Sequence, residues 1–257
     1  MKQTILLPVF LSMAILLNAQ QSNNSFLFSG SVIYEQILKF DIQLEGDAAQ
    51  FAHALPKEQK SEKILHFSEE AALFQNHKSE EPEEAVPMEE GGMVITMYEP
   101  DNKTYMDLVN KELIEQQEFM TRIFLIESDM KDEKWKMTGK QRAILDYPCQ
   151  EAVSEVEGKE VHAWFTPEIP VAVGPGRYCG LPGLVLALEM EDGDRTLTAT
   201  DVELKLLDKG ILKRPTKGKK VTREEFEDLV AEKMQEMGVE GEEGGGSMQT
   251  VVIKINE

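Results

Sequence analysis

The sequence is short of cysteine, histidine and positive charge. It has two cysteines and four histidines in 257 residues. Two cysteines cannot make a multi-disulfide scaffold, and they cannot make a zinc module without further ligands at suitable spacing, which are not evident. His53, His66, His77 and His162 form no H-E-x-x-H or similar ligand pair, so no metal is expected. Lys and Arg number 27 against 47 Asp and Glu, a formal net charge of −20. That argues against nucleic acid and against anionic lipid head groups as partners. Apart from the N-terminal run described below, no stretch is long and apolar enough to span a membrane. No G-x-S-x-G elbow occurs, and no glycine loop leads into a helix N-terminus to cradle phosphate. Cys149 has no neighbouring base to make it a nucleophile. With no catalytic constellation, a non-enzymatic protein without cofactors is expected.

Residues 1–19 read as a secretory signal. Lys2 supplies the positive start, residues 5–17 are almost continuously apolar, and Asn18-Ala19 offers a small residue at the cut. Export implies an oxidising compartment, where a Cys149–Cys179 disulfide is the one intramolecular pairing available. Closing that loop would contribute roughly 3–4 kcal/mol in the chain-entropy model. Two unbonded thiols are the alternative. Residues 20–239 are long enough for one β-rich domain. Inside it, residues 79–92 form an acidic insert with six glutamates and two prolines, read as a solvated loop. Residues 240–257 read as a Gly/Glu linker followed by a possible edge strand at 249–255.

Between these ends, alternation dominates. Residues 31–44 set Tyr34, Leu38, Phe40, Ile42 and Leu44 on one face and charged or polar residues on the other, a long half-buried strand. Further strands are expected at Ile64, Leu65 and Phe67, at 72–74, 93–98, 104–109, 118–126, 134–138, 143–156, 159–166, 185–190 and 195–207. Turns are expected at Ser68-Glu69-Glu70, Pro100-Asp101-Asn102, Gly139, Gly158 and Asp192-Gly193-Asp194. A helical turn or two is expected at 47–54. Closely spaced turns imply antiparallel pairing, since parallel strands need long crossovers. One good helix appears late. Thr222 and Glu225 make a capping box, and Phe226, Leu229, Val230, Met234 and Met237 line one face. The expected fold is mainly β: a long antiparallel meander curved into a half-barrel or bowl, with a C-terminal amphipathic helix.

The chain is organised around Arg177-Tyr178-Cys179-Gly180-Leu181-Pro182-Gly183-Leu184-Val185-Leu186, preceded by Gly174-Pro175-Gly176. Two glycine-proline turns shape the backbone before an apolar strand. The candidate plug or ligand loop comprises Pro175, Tyr178, Gly180, Leu181, Pro182, Gly183 and Leu184, to which the family resemblance given next adds Trp164 and Pro170.

Five motifs recur in order: Trp135-Lys136-Met137-Thr138; Asp146-Tyr147-Pro148-Cys149-Gln150-Glu151-Ala152; Ala163-Trp164-Phe165-Thr166-Pro167-Glu168-Ile169-Pro170; Gly174-Pro175; and Gly180-Leu181-Pro182-Gly183-Leu184-Val185. Together they resemble the GLPGLI family, exported proteins of Bacteroidetes-type bacteria without an assigned biochemical role. Val185 stands where the family name has Ile. The resemblance covers residues 30–240 and implies a periplasmic or outer-surface protein whose partner is an outer-membrane receptor or another envelope protein. It supplies no catalytic residues. Two readings stay open. In one, the concave face binds an apolar ligand or peptide; in the other, the bowl is filled by the chain itself and the protein is an interaction component of an envelope assembly. A role as accessory domain to a hydrolase is a third.

Overall fold

The computed structural model describes residues 28–39, 57–77, 99–131, 133–156, 158–208 and 210–236. The expected signal at 1–19, the turn at 47–54, the strand at 93–98, the acidic insert and the C-terminal linker lie outside them. Two meanders make up the sheet. The first is β1 (Gly30–Lys39), β2 (Glu58–Phe67), β3 (Ala71–Asn76), β4 (Lys103–Asp107), β5 (Glu112–Phe119) and β6 (Arg122–Asp129). The second is β7 (Lys136–Ile144), β8 (Tyr147–Val156), β9 (Lys159–Thr166), β10 (Leu184–Met190) and β11 (Arg195–Leu204). Pairing of β1 with β11 joins them, and β12 (Lys219–Val221) adds to β6 before the helix α1 (Arg223–Glu236). The order is β12-β6-β5-β4-β3-β2-β1-β11-β10-β9-β8-β7. The sheet is open, as expected. It is mixed rather than wholly antiparallel, because β12 runs parallel to β6.

One covalent link governs its shape. β6 and β7 lie ten strand positions apart, yet only residues 130–135 connect them. Laid flat, ten intervals would cover about 48 Å, whereas the link reaches about 25 Å at full stretch. The chain of antiparallel pairings also makes β6 and β7 run in the same direction, so the link must carry the chain back along the strands as well as across. Only a sheet both curled and staggered satisfies it. The curl is visible in the core. Met106 and Leu113, on β4 and β5, share one apolar cluster with Val161, Ala163 and Leu188 on the far half of the sheet.

The face turned inward follows from register. Tyr34, Lys63 and Asn76 stand side by side across β1, β2 and β3, and Val32, Leu65, Phe74, Thr104 and Glu115 form the next row. Each row therefore starts apolar at β1 and turns polar further along the sheet. Lys63 is buried there because it is satisfied: its Nζ donates to Asn76 Oδ1 at 2.7 Å and pairs with Glu99.

α1 begins as its capping box dictates. The Glu225 amide donates to Thr222 Oγ1 at 3.1 Å, and the Thr222 amide donates to Glu225 Oε2 at 3.0 Å. Phe226 and Val230 are buried against Phe119, Phe124 and Ile126, with Leu229 and Met234 packed beside them. Edge-on ring contacts join Phe226 to Phe119 and Phe124. Phe119, Phe124 and Ile126 share a face with Glu115, which pairs with Arg223. The helix thus covers the inner side at the β6 end.

Several boundaries differ from the sequence reading. The expected single strand at 118–126 is a hairpin, turned at Met120 (φ 48°) and Thr121 (φ 65°). Such a turn needs positive φ at both central residues, which Asn and Gly usually supply and which Met-Thr does not announce. Gly139 (φ 82°) is not a turn but a register irregularity within a continuous β7; the turn follows at Leu145-Asp146. The hairpin at Ser68-Glu69-Glu70, the strand Lys159–Thr166 and the hairpin around Gly193 stand as read.

The expected disulfide is a further correction. Cys149 and Cys179 are both buried and are not bonded to each other. Strand pairing holds Cys149 in β8 opposite Arg142, with its Sγ 3.5 Å from the Tyr147 carbonyl, while Cys179 lies in the loop, its carbonyl accepting from the Trp135 indole. Maleimide labelling of the unfolded, unreduced protein is expected to give two equivalents. Zero equivalents would restore the disulfide.

Candidate functional site

The loop from Pro167 to Gly183 starts where β9 ends. Its first half alternates, with Ile169, Val171 and Val173 buried and Pro170 and Ala172 exposed. The Val171 and Val173 amides donate two residues back, to Ile169 and Val171, a tight repeat that keeps the three apolar side chains in step. This segment then lies along the stretch leading into β10. Gly180, Leu184 and Val185 amides donate to the Ala172, Ile169 and Val173 carbonyls at 3.2, 2.9 and 3.0 Å. Leu181 and Leu184 are buried beneath. The loop's backbone polar groups are thus used inside the loop, as burial requires.

Two glycines fix how closely it packs. A Cβ on Gly183 would sit 2.0 Å from the Thr166 carbonyl oxygen. One on Gly174 would sit 2.7 Å from Val185 Cβ and 2.9 Å from the Tyr178 carbonyl. Gly180 is required for a different reason: its φ of +88° is one that L side chains rarely adopt.

Long-range bonds pin the loop to the sheet. The fully buried Tyr34 hydroxyl donates to the Val185 carbonyl at 2.6 Å, beside a bulge in the β9–β10 pairing. Burial holds the Tyr34 hydroxyl well above the ordinary phenol range, so it stays protonated and remains a donor. Trp135, on the β6–β7 link, donates its indole N–H to the Cys179 carbonyl at 2.8 Å. Tyr178 donates to Met190 Sδ at 3.2 Å.

The structure brings Pro175, Leu181, Gly183 and Leu184 together as the buried part of the loop and leaves Pro170, Gly180 and Pro182 at its surface, with Tyr178 between. Trp164 shares an apolar cluster with Leu181 and Leu184 but lies outside the loop. It sits in β9, facing away from Ala163 and Phe165, and the Arg142 guanidinium lies 4.1 Å over its ring. The sequence reading missed Tyr34, Trp135 and Arg142 as partners of these residues. A single strand pattern carries no sign of which distant residue a curled sheet will bring near.

Next to Trp164 on that outer face is a second cluster. Glu151 pairs with Trp164 in register and its side chain is 3% exposed. Burial works to raise its carboxyl. Hydrogen bonds from Thr138 Oγ1 (2.6 Å) and Lys140 Nζ (3.3 Å to Oε1), with His162 Nδ1 at 3.1 Å, outweigh burial and hold it at about 2. For His162, burial works downward, but its two ring nitrogens face Glu151 and Glu160 (2.8 Å), and the net shift is above the ordinary imidazole value. The cluster is an ion-paired clamp between β7, β8 and β9. A carboxyl held at about 2 makes Glu151 a weak base near neutrality. Cys149 is equally unsuited to attack, since burial pushes its thiol up to about 11. Among the described residues, no three His, Cys, Asp or Glu side chains are placed to hold a metal ion. No helix among them is long and apolar enough to cross a membrane.

A family model described as a protein of unknown function (Porph_ging) matches residues 151–187. Those residues run from the clamp through β9 and the loop into β10. Curated proteins return no match. Among solved structures, the chain is similar to PNGF-II in two crystal forms. One match has 17% identity, a TM-score of 0.51, and covers 79% of this chain and 33% of that one. The other also has 17% identity, with a TM-score of 0.52, and covers 79% and 32%. The chain spans about a third of the length of that protein, and the likeness extends to the fold alone.

Two predictions follow from this geometry. Gly183→Ala is expected to lower stability by about 3 kcal/mol in denaturant titration, at the upper end of overpacking costs, because the clash is with backbone; an unchanged midpoint would mean the loop is not packed on Thr166. The second concerns pH. Glu151 has a depressed folded pKa, so its contribution is complete above about pH 5 and is lost as pH falls towards 2. His162 has a raised one, so its contribution is complete below its ordinary value and is lost as pH rises through the folded value. Stability measured against pH should have a shallower acid-side slope in Glu151→Gln and a shallower slope above the ordinary imidazole value in His162→Gln. Parallel curves for wild type and variants would dismiss the clamp.

Proposed function

We propose that this chain is a non-enzymatic protein-interaction module of the cell envelope, an exported protein of the GLPGLI type whose curled sheet is filled by its own chain. The observation that carries this reading is the loop itself. Ile169, Val171, Val173, Leu181 and Leu184 occupy the core as native side chains, held by backbone bonds and by two glycines with no room for a methyl group. Burying each of these side chains contributes about 2 kcal/mol, which a displacing apolar ligand would have to replace. The α1 helix occupies the inner side at the other end. A surface left for partners is then the outer face and the sheet edges. Supporting the non-enzymatic part are the locked Glu151 clamp and the protonated Cys149 thiol. The resemblance to GLPGLI proteins supports export and a place in the periplasm or at the outer surface, beside an outer-membrane receptor or similar assembly.

The test is mass spectrometry of an organic extract of the protein purified natively from its own envelope. A clean extract is expected. A stoichiometric apolar molecule would overturn the reading and make the protein a carrier.

A further inference from the structure

β7 ends the sheet. It pairs with β8 on one side, and no other described strand joins it on the other. Residues 136–143 are exposed throughout. The opposite end of the sheet is treated differently: β6 receives β12 and is packed by α1. An edge strand offers a row of backbone N–H and C=O groups that another extended chain can satisfy.

Charge decides which chain. Residues 134–145 contain Lys134, Lys136, Lys140 and Arg142 and no acidic residue, within a sequence carrying 47 Asp and Glu against 27 Lys and Arg. Lys140 is partly committed to Glu151, and Arg142 to Trp164. Lys134 and Lys136 are exposed and have no ion-pair partner among the described residues. Two β7 edges meeting would bring Lys134, Lys136 and Arg142 of both copies into one region, with Lys140 offset by Glu151, so this edge repels its own copy. An extended segment carrying Glu or Asp at alternate positions meets the opposite condition, with backbone bonds along the edge and carboxylates over the lysines. The irregularity at Gly139 divides β7 into two short pairing stretches, limiting the bound segment to a few residues.

We propose that β7 is a docking edge for an acidic, extended peptide segment of a partner protein, added to the sheet as a thirteenth strand. This rests on the reading of the chain as an interaction module.

The experiment uses the full chain and a fluorescent decapeptide of alternating Glu and Val, followed by anisotropy. Controls are the Lys-Val decapeptide and a Glu-Val decapeptide N-methylated at alternate residues. Expected are binding of Glu-Val that weakens with added salt, a loss of about tenfold or more with the N-methylated peptide, and a similar loss in Lys134→Glu/Lys136→Glu. Both substitutions are at exposed positions. No binding of Glu-Val, or equal binding of Lys-Val, overturns the proposal. Undiminished binding of the N-methylated peptide overturns strand addition. Loss of this edge alongside a clean organic extract defeats only the assignment to β7; an apolar molecule in the extract defeats the module itself.

Discussion

The reach of residues 130–135 is the constraint on which the rest of this structure depends. Six residues cannot join β6 to β7 across ten strand intervals of a flat sheet, so the sheet must roll. A rolled sheet has an inner face with nothing opposite it, and apolar residues such as Val32, Leu65, Phe67 and Met106 on that face demand cover. The loop between β9 and β10 supplies it at one end and α1 at the other. Trp135 shows the economy of the arrangement: it lies on the link that enforces the roll and bonds the loop that fills it.

What is buried inside is neither all apolar nor loosely held. The Tyr34 hydroxyl, the Lys63 ammonium and the loop amides each have a specific acceptor. In a curled sheet these bonds join residues far apart in sequence; Tyr34 and Val185 are 151 positions apart. Packing of this kind selects a single arrangement of the loop, because shifting it would leave buried donors without partners. The outer clamp acts similarly. Thr138 and Lys140 reach Glu151 from β7, tying to the sheet by side chains a strand that has one neighbour among the described residues.

The same edge carries the sheet's opportunity for contact. Edge strands rich in lysine are ordinarily guarded against self-association. In a chain so acidic overall, the guard also acts as a selector, since acidic segments are what such an edge attracts. The interior is filled by the loop and α1, and among the described residues one side of β7 is left without a strand, which is why the proposed contact falls at the periphery.

Much of this was legible in the chain. Period-two alternation announced β1, the turn at Gly158 the start of β9, the apolar run after Gly183 β10, Asp192-Gly193-Asp194 the β10–β11 hairpin, and Thr222 with Glu225 the helix start, because each signal acts over a few residues. Gly174, Gly180 and Gly183 announced a shaped loop, because backbone strain and close approach are local. The Met120-Thr121 turn was hidden, since its positive φ values are imposed by the strands it joins and not by its residues. The absence of a Cys149–Cys179 bond, the pairing of Arg142 with Trp164, the clamp on Glu151 and the basic edge at β7 were decided by tertiary structure alone. Each depends on how far the sheet curls and which strand ends it, and that is set by the short link between β6 and β7 acting on the whole sheet at once, not by any one of its strands.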